Sequence, residues 1–269
     1  MNLRKRLAFA VMAAMACISL GQAQDWAKER LEKSPRHQEW VDIKYGNRTV
    51  HAFIVYPEVK SKAPAVLVIH EIFGLTDWAR EAADEVAAAG YVAIAPDLLS
   101  GFGPNGGGSS AFAGQDEAVK AVSGLNPDVV TADLNAAADY VKKLPAVNGK
   151  LAVVGFCWGG GQSFRFATNR HDLSAAFVFY GPPPKDFSAI TAPVHGFYAG
   201  NDARISATVP DTTAAMKAAG KTYDPVIYDG AGHGFMRAGE DPTRTTGNEA
   251  NVKAREDAWA RWKELLKGM

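Results

Sequence analysis

Four side chains suited to nucleophilic chemistry stand at the ends of apolar runs: Glu71, Cys157, Asp202 and His233. Cys157 lies in Gly155-Phe156-Cys157-Trp158-Gly159-Gly160, between the apolar run 151–154 and a polar, helix-compatible segment at Gln162. This is the strand-turn-helix context of a G-x-S-x-G elbow, with cysteine in place of serine. Its glycines are needed because a Cβ on either side of the turn would clash with neighbouring backbone. A buried structural cysteine beside a tight turn is the competing reading. A thiol attacks as the thiolate, so it requires a base or a positive neighbour. His233, in the glycine-rich Gly230-Ala231-Gly232-His233-Gly234-Phe235, is the candidate base; standing alone, it would read as a surface histidine. Asp202, closing Gly200-Asn201-Asp202, is the candidate orienter of that imidazole. Asp229 competes by nearness in sequence, but Asp202 is favoured because it ends a strand. Acyl transfer also needs two N–H donors for an oxyanion, assigned to the backbone of Trp158 and Ile72.

The elements that must position these groups follow from hydrophobic pattern and turn signals. Residues 24–38 are charged and read as peripheral. Residues 41–45 and 49–56 alternate around Gly46-Asn47, which predicts an antiparallel hairpin. The continuous apolar run 63–69 predicts a strand buried on both faces, ending in His70-Glu71-Ile72-Phe73-Gly74. Asp77 is read as the cap of a helix to about Ala89, stopped by Gly90, and a strand over 91–95 leads to Pro96-Asp97. The stretch 101–114, with Gly106-Gly107-Gly108 at its centre, reads as a flexible loop whose position allows a rim or lid. An amphipathic helix over 128–144 carries Val130, Leu134, Ala138 and Val141 on one face. After the elbow come a helix to about Asn169, strands over 175–180 and 193–198, a helix over 209–219 and a strand over 225–228. A closing helix over 249–266 sets Val252, Trp259, Trp262 and Leu266 on its apolar face. A hairpin followed by alternating strands and helices, without repeats or linkers, predicts one α/β domain over 24–269 with a mostly parallel sheet and helices on both faces. In such sheets ligands sit beyond the carboxyl ends of the strands, where all four reactive side chains fall.

The chain has 269 residues, 47% of them hydrophobic and 22% charged, as in ordinary globular proteins. Lys+Arg and Asp+Glu are both 29, so neither a nucleic-acid footprint nor an acidic tail is present. Residues 1–23 differ: Arg4-Lys5-Arg6, an apolar stretch over 7–20, then Gly21-Gln22-Ala23. This is the layout of a cleaved signal peptide, too short in its apolar part to anchor in a membrane, and it predicts export to the periplasm or beyond. Lipidation at Cys17 is a weaker reading, because the residues before it lack the usual leucine. Removal of the leader takes Cys17, one of only two cysteines, and leaves Cys157 without an internal disulfide partner in an oxidising compartment. A monomer is expected.

The order nucleophile, acid, histidine is that of the α/β-hydrolase fold. His70-Glu71-Ile72-Phe73-Gly74, Ala95-Pro96-Asp97-Leu98, the Cys157 elbow, Gly200-Asn201-Asp202 and Gly232-His233-Gly234-Phe235, in this order from about Val50 to the C-terminus, resemble the dienelactone hydrolase family. The resemblance implies a Cys157-Asp202-His233 triad that opens a small ester or lactone through a thioester. It makes Glu71 an extra carboxylate that pairs with the cysteine, the alternative being a salt bridge to a nearby arginine. It makes Arg237 a binder of a substrate carboxylate, the alternative being a solvated surface residue. The chain departs from the lactone-specific pattern after Leu98, where Leu99-Ser100-Gly101 replaces a second arginine. A carboxylesterase without lactone preference, or a thiol-sensing binding module on the same fold, are the rival readings. His195 is read as a core residue, His70 as shaping the oxyanion loop, and His37, His51 and His171 lack the spacing of a metal site. No nucleotide-binding fingerprint is in place and no cofactor or metal is implied.

Overall fold

The computed structural model describes residues 24–243 and 248–269; the segment read as a leader, 1–23 with Cys17, lies outside them. Eight strands form one sheet in the order β1-β2-β4-β3-β5-β6-β7-β8. These are β1 Gln38–Tyr45, β2 Arg48–Val55, β3 Ala63–Ile69, β4 Val92–Pro96, β5 Val147–Phe156, β6 Ala175–Phe179, β7 Val194–Ala199 and β8 Tyr223–Tyr228. The β1–β2 hairpin and the β2–β4 pair are antiparallel, and every pair from β4 onward is parallel. The expected architecture is therefore present, and β3, β5, β6 and β7 direct their carboxyl ends to one edge.

The helices are α1 Asp25–Lys33, α2 Asp77–Ala88, α3 Gln115–Ser123, α4 Pro127–Lys142, α5 Trp158–Asn169, α6 Ala203–Ser206, α7 Val209–Ala218, α8 Phe235–Ala238 and α9 Glu249–Leu266. The alternation of side chains along each strand feeds two apolar layers, one per face of the sheet. One layer packs Phe156, Phe177, Phe179 and Phe197 against Trp78 of α2 and Trp262 of α9. The other sets Leu67, Val153 and Val178 against Leu134 and Val141 of α4 and Phe164 of α5.

Several expectations need correction. Residues 25–33 are no peripheral tail but a helix that buries Trp26, Ala27 and Leu31. Their three apolar positions share one helical face, a signal diluted by the charged residues around them. Thr76, not Asp77, caps α2, its hydroxyl accepting from the Ala79 N–H. The α9 face is rotated: Ala254, Ala258, Trp262 and Leu266 are buried, while Val252 and Trp259 are half-covered. Small alanines fit where the helix presses closest to the core, a choice that side-chain hydropathy alone does not reveal.

The glycine-rich stretch 101–114 is held rather than loose. Asp97 accepts from the Ser109 N–H at 2.7 Å and from its hydroxyl at 2.6 Å, and the same hydroxyl oxygen accepts from the Leu75 N–H. Gly108 permits this closure, since a Cβ there would stand 2.3 Å from the Asp97 carboxylate.

α1 is fastened to the body by charge as well as by packing. Arg30 reaches both Glu81 of α2 and Glu240, just past α8, while Arg255 of α9 bonds Glu85 and Glu240. The three carboxylates converge closely enough to suggest a cation site. Arg30 and Arg255 already pair with all three, which makes the cluster an ion-pair staple. Burial, together with Glu85 and Glu240, pushes Glu81 up to about 9.

Candidate active site

The elbow at the end of β5 is built as its glycines require. Cys157 has φ 58° and ψ −118°, a conformation that costs a non-glycine residue roughly 1–3 kcal/mol. A Cβ on Gly155 would lie 1.9 Å from the Gly159 carbonyl oxygen, and one on Gly159 would lie 2.3 Å from that of His70. The turn is thus wedged between its own helix and the end of β3. The Cys157 N–H donates to the Phe179 carbonyl at 3.0 Å, tying the elbow to β6 as well.

His233 Nε2 lies 3.1 Å from Cys157 Sγ, and His233 Nδ1 lies 2.5 Å from Asp202 Oδ2. Asp202 is nearly buried, His233 is one-third exposed and Cys157 is half-buried, so a substrate can reach the sulfur while the orienting carboxylate stays dry. Asp229, the competing acid, is exposed and bonds no histidine among the described residues. The hydrogen bond to the Cys157 sulfur, followed by that to Asp202, pushes His233 up to about 9 despite partial burial. The geometry can therefore hold a thiolate beside an imidazolium.

That upshift has a definite pH signature. His233 keeps its proton below about 9, where it can protonate a leaving group, and loses it above. For cleavage of a neutral ester, kcat/KM is expected to decline as pH rises through about 9, where His233 loses the proton it gives to the leaving group. An alkaline decline centred on 6.5, the ordinary histidine value, would contradict the pairing. The sign for stability is parallel: a raised histidine contributes fully below its unfolded value of about 6.5, and the contribution is lost as pH passes about 9.

Glu71 is buried and shares no hydrogen bond with Cys157 among the described residues. It accepts from Arg237 Nε at 2.9 Å, the arginine partnership weighed as the alternative reading. Burial pushes its carboxyl up, and Arg237 partly offsets this. Arg237 is not a free surface residue: it extends from α8 with its guanidinium 5.3 Å from the centre of the Phe73 ring.

Ile72 and Trp158 carry the two candidate oxyanion donors. Neither backbone N–H has an acceptor among the described residues, and Trp158 opens α5, where the first N–H groups of a helix are unsatisfied.

Sequence reasoning missed Tyr180. It directly follows β6 at φ 39°, is fully buried, and sets its ring edge-on to His233 with centroids 5.1 Å apart. Burial, then the charges of Glu71 and Cys157, push its phenol well up, which keeps it neutral. The strand-end rule that found Glu71, Cys157 and Asp202 applies equally to Tyr180. His195 is no core residue: near the amino end of β7 it is half-buried, stacks on Phe177 at 5.4 Å and faces Asp224 Oδ2 at 3.3 Å. Behind Phe73 lies a cavity of about 540 Å³ lined by Trp40, Leu75, Arg80, Ser109 and Ser110. Its walls include Phe73 but none of Cys157, His233 and Asp202.

Among known proteins, the profile of the dienelactone hydrolase family matches residues 50–269. A Methylorubrum extorquens protein named "Putative carboxymethylenebutenolidase" is 32% identical over 210 residues, 72% of this chain and 71% of its own. A Saccharolobus solfataricus protein of the same name is 31% identical over 253 residues, 81% of this chain and 93% of its own. The solved structure titled "Putative Dienelactone Hydrolase" from Klebsiella pneumoniae superposes with a TM-score of 0.73 at 26% identity, covering 86% of this chain and 98% of that one. With the elbow, the acid and the histidine assembled at one sheet edge and this match across the whole sheet from β2 onward, the chain belongs to the dienelactone hydrolase family.

Proposed function

We propose that the protein hydrolyses a small ester or lactone through a thioester on Cys157. The observation that carries this reading is the continuous contact from Asp202 through His233 to the sulfur. The thiolate adds to the carbonyl carbon, and the carbonyl electrons move to an oxygen held by the Ile72 and Trp158 N–H groups. As that oxyanion collapses, the bond to the alkoxy oxygen breaks, and His233 gives that oxygen its proton. Water, deprotonated by the now neutral His233, then opens the thioester and regenerates the thiolate. Glu71, raised by burial and held on Arg237, is placed to exchange its partner when an anionic substrate enters, while Arg237 takes the substrate carboxylate.

The test is intact-protein mass spectrometry during turnover of a matched pair, a lactone bearing a carboxylate and its neutral analogue. Expected is an acyl adduct on Cys157 that builds faster with the carboxylate-bearing member. Oxidation of the thiol without an acyl adduct would favour a thiol-sensing module instead. Equal rates for the pair would remove Arg237 from binding and leave a general carboxylesterase.

A further inference from the structure

His70 is fully buried at the end of β3, directly before the Glu71–Ile72 peptide. Its Nδ1 lies 2.7 Å from the Glu71 carbonyl oxygen, which also accepts from the Gly74 N–H at 3.2 Å. The peptide is planar and trans, so a carbonyl fixed on one side obliges the Ile72 N–H to point to the other. That N–H has no acceptor among the described residues. On its flank the His70 ring stacks on Trp158, with centroids 5.6 Å apart and planes 15° from parallel. Trp158 supplies the second unsatisfied N–H. The His70 backbone meets the elbow too, since its carbonyl is what a Cβ on Gly159 would strike.

The geometry points to His70 as the positioning residue of the oxyanion hole, its Nδ1–H locking the Glu71–Ile72 peptide with the Ile72 N–H turned toward the reacting carbonyl. It does so neutral: burial lowers its proton affinity, Nδ1 carries the hydrogen it donates, and Nε2 has no hydrogen-bond partner. The Gly74 N–H alone is the weaker half of the anchor, longer and part of a tight turn. Freed of His70, the peptide can rotate and present its oxygen where a donor is needed. The ground state would be little affected, because a neutral ester carbonyl gains far less than an oxyanion from the same N–H.

This inference rests on the proposed hydrolase reading. The test compares wild-type protein with His70→Phe, which keeps the ring volume and the stacking but removes the donor. His70→Asn, whose side-chain amide N–H can occupy the Nδ1 position, is the rescue. With an activated aryl ester, His70→Phe is expected to lower kcat about 10–100-fold with KM within about twofold, below the full effect of deleting an oxyanion donor. Its melting temperature should hold or rise, because the unpartnered Nε2 is also gone. His70→Asn should stay within about threefold of wild type. A simple aldehyde adds a second readout: the Cys157 sulfur bonds to its carbonyl carbon, the oxygen takes the electron pair and then a proton, and a hemithioacetal results. Its inhibition constant should weaken by the same factor as kcat. The inference is overturned if His70→Phe keeps kcat within about twofold, or if His70→Asn is as slow as His70→Phe. Should His70→Phe not fold, His70→Leu against His70→Asn gives the same donor comparison. Absence of ester turnover and aldehyde binding in the wild type would instead remove the hydrolase reading itself.

Discussion

Cys157→Ala is expected to lower ester turnover by about 10⁵-fold or more while leaving a folded protein, since deleting an activated nucleophile costs on this scale. The backbone that makes the elbow does not depend on the thiol: the Cys157 N–H keeps its bond to Phe179, and the flanking glycines keep their close approaches. Turnover of an aryl ester, checked beside circular dichroism, measures both halves of the expectation; turnover near wild type would sink the nucleophile assignment. Cys157→Gly makes the corollary visible. At φ 58° a glycine escapes the strain of roughly 1–3 kcal/mol and gives back roughly 0.5–1 kcal/mol in chain entropy. The inactive glycine variant should therefore be more stable than the parent.

Asp202→Asn should lower kcat by about 10³–10⁴-fold, by the tautomer argument known for the same constellation in serine enzymes, and should cost part of the stability that the raised His233 contributes. The carboxylate accepts from His233 Nδ1 and leaves Nε2 to face the sulfur. An amide that presents its N–H to Nδ1 drives the ring hydrogen onto Nε2, where it can no longer take the thiol proton. The same exchange removes one of the two contacts that raise His233, so the alkaline decline of the residual activity should move below about 9. A loss smaller than about tenfold would take Asp202 out of the triad.

The sheet was legible because buried parallel strands are short apolar runs: 63–69 coincides with β3, and the ends of β6 and β7 fall within a residue of expectation. That Cys157, Asp202 and His233 meet was legible for a related reason, since strand ends converge on one edge whatever the loops between them do. Less visible was anything decided by contact across the fold. The Glu71–Arg237 pair spans 166 residues, and no local pattern distinguishes it from a carboxylate set against the thiol. Helix α3 was missed because it follows a glycine- and serine-rich stretch and buries only Ala118 and Val122. The loop before it looked mobile because composition does not show that Asp97 and Ser109 meet.

The staple at Arg30 bears on where this protein begins as a working unit. The family match starts at residue 50, yet α1 lies upstream of it and shares its arginine between α2 and Glu240, three residues beyond Arg237. A boundary drawn by homology would leave Glu81 and Glu240 with one guanidinium fewer, and would strip the cover provided by Trp26 and Leu31. Recombining this chain with a relative at the edge of the shared region would thus disturb the segment that carries His233 and Arg237. The inheritable piece is longer than the recognisable one.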